Sequence, residues 1–395
     1  MRSEYIALCE AADIIVGFAF PSEGFNTDGK GIRLVRGKNI TKGTLRWGSD
    51  TRWWNDCSID LSRYYLQEND IVVGMDGSLV GKNYAQIATR DLPLLLVQRV
   101  ACVRAKKGYD QSFIWKCISS TNFEKYIDAI RTGTSIPHVS GKQIGNYLIP
   151  NYSYSTQKKI GSILKTIDDK IELNNRINDN MFEIGSAWYA SLFGNSEHQA
   201  TTVGRYSKQI YSGGTPSTSR PEYWNGSLHW LSSGETRNRF AITTDKTITN
   251  AGVDNSSTKL AHKYDIVMAS AGQGFTRGQT TMLLLDTYVN QSVIVIHADR
   301  LYLPYLFWNL ANRYEELRAI SDSSSIRGSL TTKMIAGFKI AEVSPEALQE
   351  FSNIAWAVLP EIEKNLLENE NLTALRDALL PKLMSGELDV SEVEL

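Results

Sequence analysis

The stretch from residue 155 to residue 193 reads STQKKIGSILKTIDDKIELNNRINDNMFEIGSAWYASLF and contains no proline. Its apolar residues recur at the spacing of one stripe on a long helix. The stripe consists of Ile160, Ile163, Leu164, Ile167, Ile171, Ile177, Met181, Ile184, Trp188 and Leu192. Ser155 is a suitable N-cap and Gly194 a suitable stop. Lys170 and Asn174 interrupt the stripe, as polar residues do where a coiled coil sets its register.

The same pattern returns 191 residues later without a gap in the helix. Ile160 aligns with Phe351 and Ile171 with Ile362, and three asparagines of the first helix (Asn174, Asn178, Asn180) align with Asn365, Asn369 and Asn371. Ser344 and Pro345 suit the start of the second helix. Pro360 predicts a kink or break, and Pro381 an end or a bend, because proline cannot donate the helical hydrogen bond.

The segments that precede the two helices repeat one order of elements. The first has strand patterns at 31–45, 64–83 and 92–106, a helical pattern at 111–130 and a closing segment at 133–150. The second has the corresponding patterns at 228–236, 264–274, 290–299, 303–320 and 324–340. Because the repeat unit is about half the chain, we predict two similar α/β (α+β) domains, 1–154 and 195–343. A helix follows each of them, at 155–194 and at 344–395 with the C-terminal tail.

Composition narrows the class of protein. Hydrophobic residues make up 42% of the 395 and charged residues 22%, which is ordinary for a globular protein. The four cysteines lie in the first half without a C-x-x-C pair, which argues against a zinc ribbon or a disulfide framework and fits a reducing cytoplasm. The five histidines have no metal-ligand spacing. The apolar run near the start is too short for a signal peptide or a membrane span.

The net charge of −1 conceals an uneven distribution. Residues 1–154 carry 19 basic and 15 acidic side chains, and residues 194–343 carry 15 and 12. Residues 344–395 carry 3 basic and 11 acidic side chains. This asymmetry is consistent with nucleic acid at the globular parts and protein at the tail. Ordinary solvated faces would give the same charges, so both interpretations remain open.

The doubled order resembles the specificity subunit of type I restriction-modification systems. The residues that carry the resemblance are the two helices, SIPHVSGKQIGNYLIP (135–150), SIRGSLTTKMIAGFKI (325–340), GGTPS (213–217) and LRDALLPKLMSGEL (375–388). The resemblance implies two target-recognition domains, each reading one half of a bipartite asymmetric DNA site. It also implies two antiparallel helices, forming a coiled coil, that set the spacing and dock two methyltransferase subunits. A subunit of this kind has no catalytic activity. S-adenosylmethionine, ATP and Mg²⁺ belong to the methyltransferase and restriction (translocase) partners.

Basic and amide side chains in the predicted turns and loops are candidates for DNA contact. Lysine and arginine bind phosphates, whereas Gln273 could pair with adenine and Arg277 with guanine in the major groove. The candidates are Arg33, Arg36, Lys38, Lys82, Lys142, Gln273, Arg277, Arg327 and Lys333. For the set at 33–42 the alternative is an edge strand protected by charge. For the glycine-rich segments at 74–83 and 271–278 the alternative is a surface turn, since neither is a phosphate-binding fingerprint.

Polar residues of the helices are candidates for partner contact. They are Lys170, Asn174, Asn178, Asn365 and Asn369. Trp188, Tyr189 and Phe193 fit helix packing better than base stacking. No motif of a methyltransferase, hydrolase or nuclease is recognisable. Two alternatives remain: a stand-alone DNA methyltransferase or nuclease with unrecognised motifs, and a coiled-coil adaptor without a DNA role.

Overall fold

The computed structural model describes residues 4–56, 59–133, 137–194, 200–272, 276–323, 328–390 and 392–393. The chain forms two compact units. The first comprises Met1–Lys170 and Leu372–Leu395, and the second comprises Ile171–Asn371. Each unit therefore holds one globular segment together with part of each long helix. None of the helices in the described ranges is long and apolar enough to cross a membrane.

The first unit is built on a mixed sheet with the strand order β2-β9-β6-β7-β4. The neighbours are antiparallel, except that β4 and β7 are parallel. Two smaller sheets have the orders β5-β3-β8 and β1-β10. The strands are β1 (Tyr5–Ala7), β2 (Ala12–Val16), β3 (Ile32–Val35), β4 (Lys42–Gly43), β5 (Trp53–Trp54), β6 (Ile71–Gly74), β7 (Tyr84–Gln86), β8 (Leu94–Leu96), β9 (Val100–Ala105) and β10 (Leu148–Pro150). The helices are α1 (Leu8–Ala11), α2 (Gln111–Ile118), α3 (Thr121–Ile130), α4 (Gly141–Gly145) and the start of α5 (Tyr154–Phe193).

The second unit repeats this plan. Its main sheet has the order β12-β20-β17-β18-β14, again with one parallel pair at the β14 edge. The smaller sheets are β15-β13-β19-β16 and β11-β21. The strands are β11 (Ala200–Thr202), β12 (Ser207–Ser212), β13 (Trp224–Leu231), β14 (Phe240–Ala241), β15 (Lys246–Ile248), β16 (Lys259–Ala261), β17 (Ile266–Ala269), β18 (Thr280–Leu283), β19 (Thr287–Val289), β20 (Val293–Ala298) and β21 (Lys339–Ala341). The helices are α6 (Val203–Tyr206), α7 (Asn250–Asp254), α8 (Leu303–Ala311), α9 (Tyr314–Ser323), α10 (Thr332–Ala336) and α11 (Pro345–Ser385).

The duplication extends to a buried carboxylate in front of the central strand of each main sheet. Asp70 precedes β6, and its two carboxylate oxygens accept hydrogen bonds from Nε and Nη2 of Arg104 at 2.7 and 2.6 Å. Asp265 precedes β17 and lies 2.6 Å from Nδ1 of His297. Each carboxylate also accepts a backbone N–H from three residues earlier in the chain, so the turn before the strand is closed in the same way. The two units therefore share hydrogen bonding as well as strand order.

One core of each unit lies between the main sheet, the helix pair that follows it and a long helix. In the first unit Ile71 of β6 and Phe113 of α2 belong to one cluster with Ile160 of α5. In the second unit Ile266 of β17 and Trp308 of α8 belong to one cluster with Phe351 of α11. Burying apolar side chains of strand and helix together stabilises both elements. The long helices are therefore part of each core.

The single helical pattern predicted over 111–130 is two helices in the structure. Asp110 caps α2 by accepting the N–H of Phe113 at 2.8 Å, and Ser120 caps α3 by accepting the N–H of Phe123 at 3.2 Å. A capping hydroxyl satisfies a backbone donor that a continuous helix would bond internally. The pair Ser119–Ser120 therefore allows the chain to change direction between two amphipathic segments that share one apolar periodicity.

The buried face of α5 agrees with the predicted stripe in the first unit only. Ile160 and Leu164 are buried there as predicted. In the second unit the buried positions are Asn174, Asn178, Phe182, Gly185 and Phe193, whereas Ile184 and Trp188 are 51% and 42% exposed. The prediction that the apolar stripe forms the buried face is therefore wrong for the part of α5 that lies in the second unit. Positions seven residues apart drift by about 20° per heptad on a straight helix, so a long apolar series rotates away from the contact face.

The predicted ends of the long helices are partly correct. The N-cap of α5 is Ser153, whose Oγ accepts the N–H of Thr156 at 3.2 Å, and Ser155 lies inside the helix. Ser344 caps α11 as predicted, by accepting the N–H of Ala347 at 3.2 Å. Neither Pro360 nor Pro381 ends α11, which continues to Ser385. Burial of Leu359, Ile362 and Leu383 beside the prolines offsets the lost hydrogen bonds.

Candidate nucleic-acid interface

Three of the predicted DNA-contacting residues, Arg33, Arg36 and Lys38, lie on β3 and the turn after it. Arg33 is half-buried, donates to the carbonyl of Asp91 at 2.7 Å and lies over the ring of Trp47. Arg36 and Lys38 converge on one acidic residue, Asp50. Lys38 is the more exposed of the two and lies 2.6 Å from the carboxylate. The turn therefore presents two basic groups held by Asp50, Arg36 through the backbone carbonyl and Lys38 through the carboxylate.

Burial lowers the pKa of Arg36, and the neighbouring charge of Arg52 lowers it further, against the opposing effect of Asp50. Such crowding of like charges is unfavourable in the free protein and is relieved when an anion approaches. Of the predicted set on this turn, Arg36 therefore has the environment that suits a phosphate contact, and Lys38 is exposed beside it but paired with Asp50. Arg33 is engaged in other contacts, with Asp91 and Trp47.

Lys142 and Lys333 occupy the same place in the two units. Lys142 lies on α4, which Ser140 caps by accepting the N–H of Gln143. Lys333 lies on α10, which Thr331 caps by accepting the N–H of Met334. Both lysines are exposed and lie on the short helix that precedes the closing strand. Lys82 differs from them, because it is half-buried and lies 3.4 Å from Asp128.

The predicted base-reading residues of the second unit have different outcomes. Gln273 and Arg327 lie outside the described residues. Arg277 is buried, and its guanidinium donates to Asp322 and to the carbonyl of Gly328. In this conformation Arg277 connects two segments of its own unit, so reading guanine would require it to leave these bonds. Its role in base recognition stays a prediction.

The asparagines predicted to contact a partner bond to the opposite helix of the same chain. Asn174 donates to Glu368 and Asn369 at 2.8 and 2.9 Å, and Asn365 donates to Asn178 at 2.9 Å. Because a higher number on α5 meets a lower number on α11, the two helices are antiparallel in the second unit. We therefore assign the asparagines to helix register rather than to a partner surface, as a buried polar residue does in coiled coils. Lys170 is half-buried at the end of the first unit.

Sequence reasoning missed two features of the helices. The first is the exposed apolar face of α5 in the second unit, formed by Leu173, Ile184 and Trp188. The second is a charged cluster in the first unit, where buried Lys116 of α2 pairs with Asp168 of α5 and Arg376 of α11 pairs with the same carboxylate at 3.1 Å. Burial lowers the pKa of Lys116, and Asp168 opposes that shift. Lys116 within the apolar series Phe113, Ile114, Cys117 was the one available signal.

Comparison with known families decides what this architecture is related to. Residues 12–181, from β2 into α5, match the family described as the type I restriction modification DNA specificity domain. These residues therefore belong to the type I DNA specificity domain family. The resemblance predicted from the sequence, to specificity subunits of type I systems, is confirmed.

Relatives of this specificity domain are themselves specificity subunits. The chain is 34% identical to the EcoAI specificity subunit of Escherichia coli over 177 residues, which cover 44% of this chain and 29% of that subunit. It is 22% identical to the HindI specificity subunit of Haemophilus influenzae over 347 residues, which cover 68% of this chain and 75% of that subunit. The match thus spans less than a third of the first relative and three quarters of the second.

The fold also matches that of a solved specificity subunit. The crystal structure of a type I restriction-modification S subunit from M. genitalium superimposes with a TM-score of 0.61 at 16% identity. The match covers 98% of this chain and 96% of that chain. At this identity the likeness concerns the fold, and it confirms the predicted α/β class with two sheet-rich parts and long helices.

Proposed function

We propose that this chain is the non-catalytic DNA-recognition subunit of a type I restriction-modification complex. Each globular domain, at residues 1–154 and 195–343, reads one half of a bipartite, asymmetric double-stranded DNA site. The observation that carries the proposal is the duplication: one scaffold occurs twice, and the first copy belongs to the type I DNA specificity domain family. Two copies with different loops suit one composite site whose halves differ in sequence.

Basic groups support DNA contact by both domains, and one exposed pair of them occupies equivalent positions. Lys142 and Lys333 lie on corresponding capped helices, and Arg36 and Lys38 lie on the turn after β3. Contacts to phosphate position a protein on the duplex without reading its sequence. We assign these residues to positioning, and we assign base reading to the loops in which the two domains differ most, including that of Gln273 and Arg277.

The long helices are the proposed spacer and docking element. Helix α5 has 40 residues, and such a helix is about 60 Å long at ~1.5 Å per residue. On its exposed face Leu173, Ile184 and Trp188 form an apolar series at helical spacing. Exposed aromatic and aliphatic residues of this kind suit a helix of another protein. We propose that methyltransferase subunits dock there and supply the S-adenosylmethionine chemistry, while restriction subunits supply the reactions that need ATP and Mg²⁺.

The test exchanges one domain. Residues 1–154 are replaced by the corresponding segment of a specificity subunit that recognises a different site, and methylated adenines are mapped across the genome. The expected result is a new sequence in one half of the methylated site, with the other half and its methylation unchanged. The matched control exchanges residues 195–343 instead and alters the opposite half.

Two outcomes would contradict the proposal. An unchanged methylated site after either exchange would mean that the domains do not read DNA and that the chain is an adaptor. Methylation or cleavage of DNA by the purified chain alone would mean that it is an enzyme. Mapping methylation in cells with and without the gene provides the baseline for both measurements.

A further inference from the structure

Two short turns occupy equivalent places in the two units. The β8–β9 turn consists of residues 98–99, and the β19–β20 turn consists of residues 290–292. A Cβ on Gly17 would lie 2.2 Å from the carbonyl oxygen of the residue just before the first turn, and a Cβ on Gly213 would lie 2.0 Å from that of the residue just before the second. Each turn therefore follows the same close approach to a glycine, and the second turn has one residue more.

The same backbone hydrogen bonds attach each turn to the closing segment of its unit. The N–H of Met75 donates to the carbonyl of Arg99 at 2.9 Å, and the carbonyl of Met75 accepts a bond from the closing segment at 2.9 Å. The N–H of Ser270 donates to the carbonyl of Ser292 at 2.8 Å, and the carbonyl of Ser270 also accepts from the closing segment at 2.8 Å. Ser270 begins the loop to which base reading is assigned above. The turns are thus fixed beside the segments proposed to meet DNA.

The β8–β9 turn adjoins two segments that carry candidate phosphate contacts. Gly37 lies between Arg36 and Lys38 in the chain, and a Cβ on it would lie 4.0 Å from the carbonyl oxygen of Arg99. The closing segment, which is bonded to the turn through one residue, leads into the helix of Lys142. Contacts to phosphate hold a protein over a groove, and the base edges lie on the floor of that groove. A side chain that projects from this turn is therefore placed to reach a base.

Arg99 presents a guanidinium with two nitrogens available. Its side chain is 59% exposed, and its Nε lies 4.0 Å from Oδ2 of Asp76, which is its one charged partner among the described residues. Because the Nε edge faces Asp76, Nη1 and Nη2 remain for a bidentate contact. The backbone of Arg99 has a φ of +71°, in the left-handed region that residues with a side chain rarely adopt. Conformations of this kind cluster at binding and catalytic sites.

Gln291 presents a carboxamide from the β19–β20 turn. The residue is exposed, and its Oε1 accepts a hydrogen bond from Oγ1 of Thr215 at 2.5 Å. This bond orients the amide, whose Nε2 has no partner among the described residues, and Oε1 keeps a second lone pair. A carboxamide pairs with N6 and N7 of adenine, whereas two guanidinium nitrogens pair with O6 and N7 of guanine. The two turns therefore offer side chains that match different bases.

We propose that Arg99 reads a guanine in one half of the DNA site and that Gln291 reads an adenine in the other half. The Nη1 and Nη2 groups of Arg99 donate to O6 and N7 of guanine. Nε2 of Gln291 donates to N7 of adenine, and Oε1 accepts from its N6 group. This inference rests on the proposed recognition of duplex DNA and deepens it, because it names one base-reading side chain in each domain at a shared place in the scaffold.

The experiment uses the full chain with its methyltransferase subunits and maps methylated adenines across the genome. The domain exchange described above identifies the half-site that residues 1–154 read. Arg99→Gln should remove the requirement for one G·C pair in that half-site and leave the other half unchanged. In competition between duplexes that differ at this pair, the preference should fall about tenfold or more. Arg63→Gln, at another exposed arginine of the first unit, should change neither half.

A second variant separates base reading from phosphate contact. Arg99→Lys keeps the positive charge but loses the planar pair of donors, so it should relax the same G·C position as Arg99→Gln does. A phosphate contact would instead tolerate lysine, and Arg99→Gln would then weaken binding uniformly without changing the methylated sequence. Uniform weakening would therefore overturn the assignment of Arg99. If Arg99→Gln fails to fold, Arg99→Lys decides the result.

The second unit is tested in the same way. Gln291→Ala should relax one A·T pair of the opposite half-site, other than the pair that carries the methylated adenine. Gln209→Ala, at an exposed glutamine of β12, is the matched control and should leave both halves unchanged.

The proposal is wrong if the half-site read by residues 1–154 contains no G·C pair, or if either turn variant leaves the sequence of its half-site intact. These results leave the proposed function standing as long as the domain exchange alters one half-site. An exchange that alters neither half contradicts the proposed function itself, and the assignment of Arg99 and Gln291 with it.

Discussion

The two places where a domain meets a long helix occupy equivalent positions and use opposite chemistry. In the first unit Lys116 of α2 is buried against Asp168 of α5, and Arg376 of α11 completes the cluster. In the second unit the equivalent of Lys116, 192 residues later, is Trp308 of α8. The residues of the long helices that face these two positions also differ between the units. A shift of 191 residues relates Asp168 to Leu359 and Gly185 to Arg376.

The junction of the second unit is aromatic and closely packed. The ring of Trp308 stacks on Phe182 and meets the edge of Phe351, and its Nε1 donates to the carbonyl of Phe182 at 3.1 Å. Gly185 makes room for it, since a Cβ there would lie 2.5 Å from the indole. Burial of so large a ring contributes more than a buried ion pair, whose attraction is largely offset by desolvation. Duplication thus kept the backbone plan while the contacts diverged.

The largest expected effect is the loss of the aromatic junction. Trp308→Ala should lower the free energy of unfolding of the second unit by about 3–5 kcal/mol, because it leaves a cavity the size of an indole. Hydrogen exchange of α8 and of residues 351–362 should accelerate, while exchange of α2 should not. The matched control is Trp188→Ala at an exposed position, which should change stability by less than about 0.5 kcal/mol but weaken methyltransferase binding. Equal stability losses in the two variants would contradict the comparison.

The charged junction should be sensitive to the removal of one partner and tolerant of the removal of two. Asp168→Ala leaves the ammonium of Lys116 buried without its carboxylate, at a cost near the lower end of about 3–5 kcal/mol because Asp168 is one-third exposed. Adding Lys116→Met should recover most of this loss in urea unfolding. A double variant no more stable than the single one would mean that the ion pair itself holds the junction.

The smallest expected effect is a pH dependence of the free energy of unfolding that comes from Lys116, at whose place the second unit has Trp308. Burial lowers the pKa of Lys116 in the folded protein, so the unfolded chain binds its proton more tightly. The stability contributed by this position therefore rises as pH increases through the lowered pKa towards the ordinary value for lysine. The difference in unfolding free energy between the natural protein and Lys116→Met should shift in favour of the natural protein between neutral pH and pH ~10. A constant difference would mean that the ammonium is not desolvated.

The fold was predictable from the sequence to a large extent because the duplication is visible in it. The shift of 191 residues located both long helices, and the matched segments located β6 and β9 of the first main sheet and β17 and β20 of the second. The strands β2, β7, β12, β14 and β18 of these sheets lie outside the predicted segments. The candidate DNA site was less predictable. Lys142 and Lys333 are exposed at equivalent positions, but Arg277 is buried against Asp322, and a loop pattern alone does not reveal which partner a charged side chain will find.

The sequence by itself determined that one scaffold occurs twice and that a long helix follows each copy, because apolar periodicity is a local property and the repeat is visible as a shift of 191 residues. Only the tertiary structure decided which face of α5 is buried, since Ile184 and Trp188 have the same period as the residues that pack. It also decided that Lys116 is buried and that Asn174 bonds to the other helix. Burial depends on what a distant part of the chain places against a side chain, and that information is not in the spacing of the residues around it.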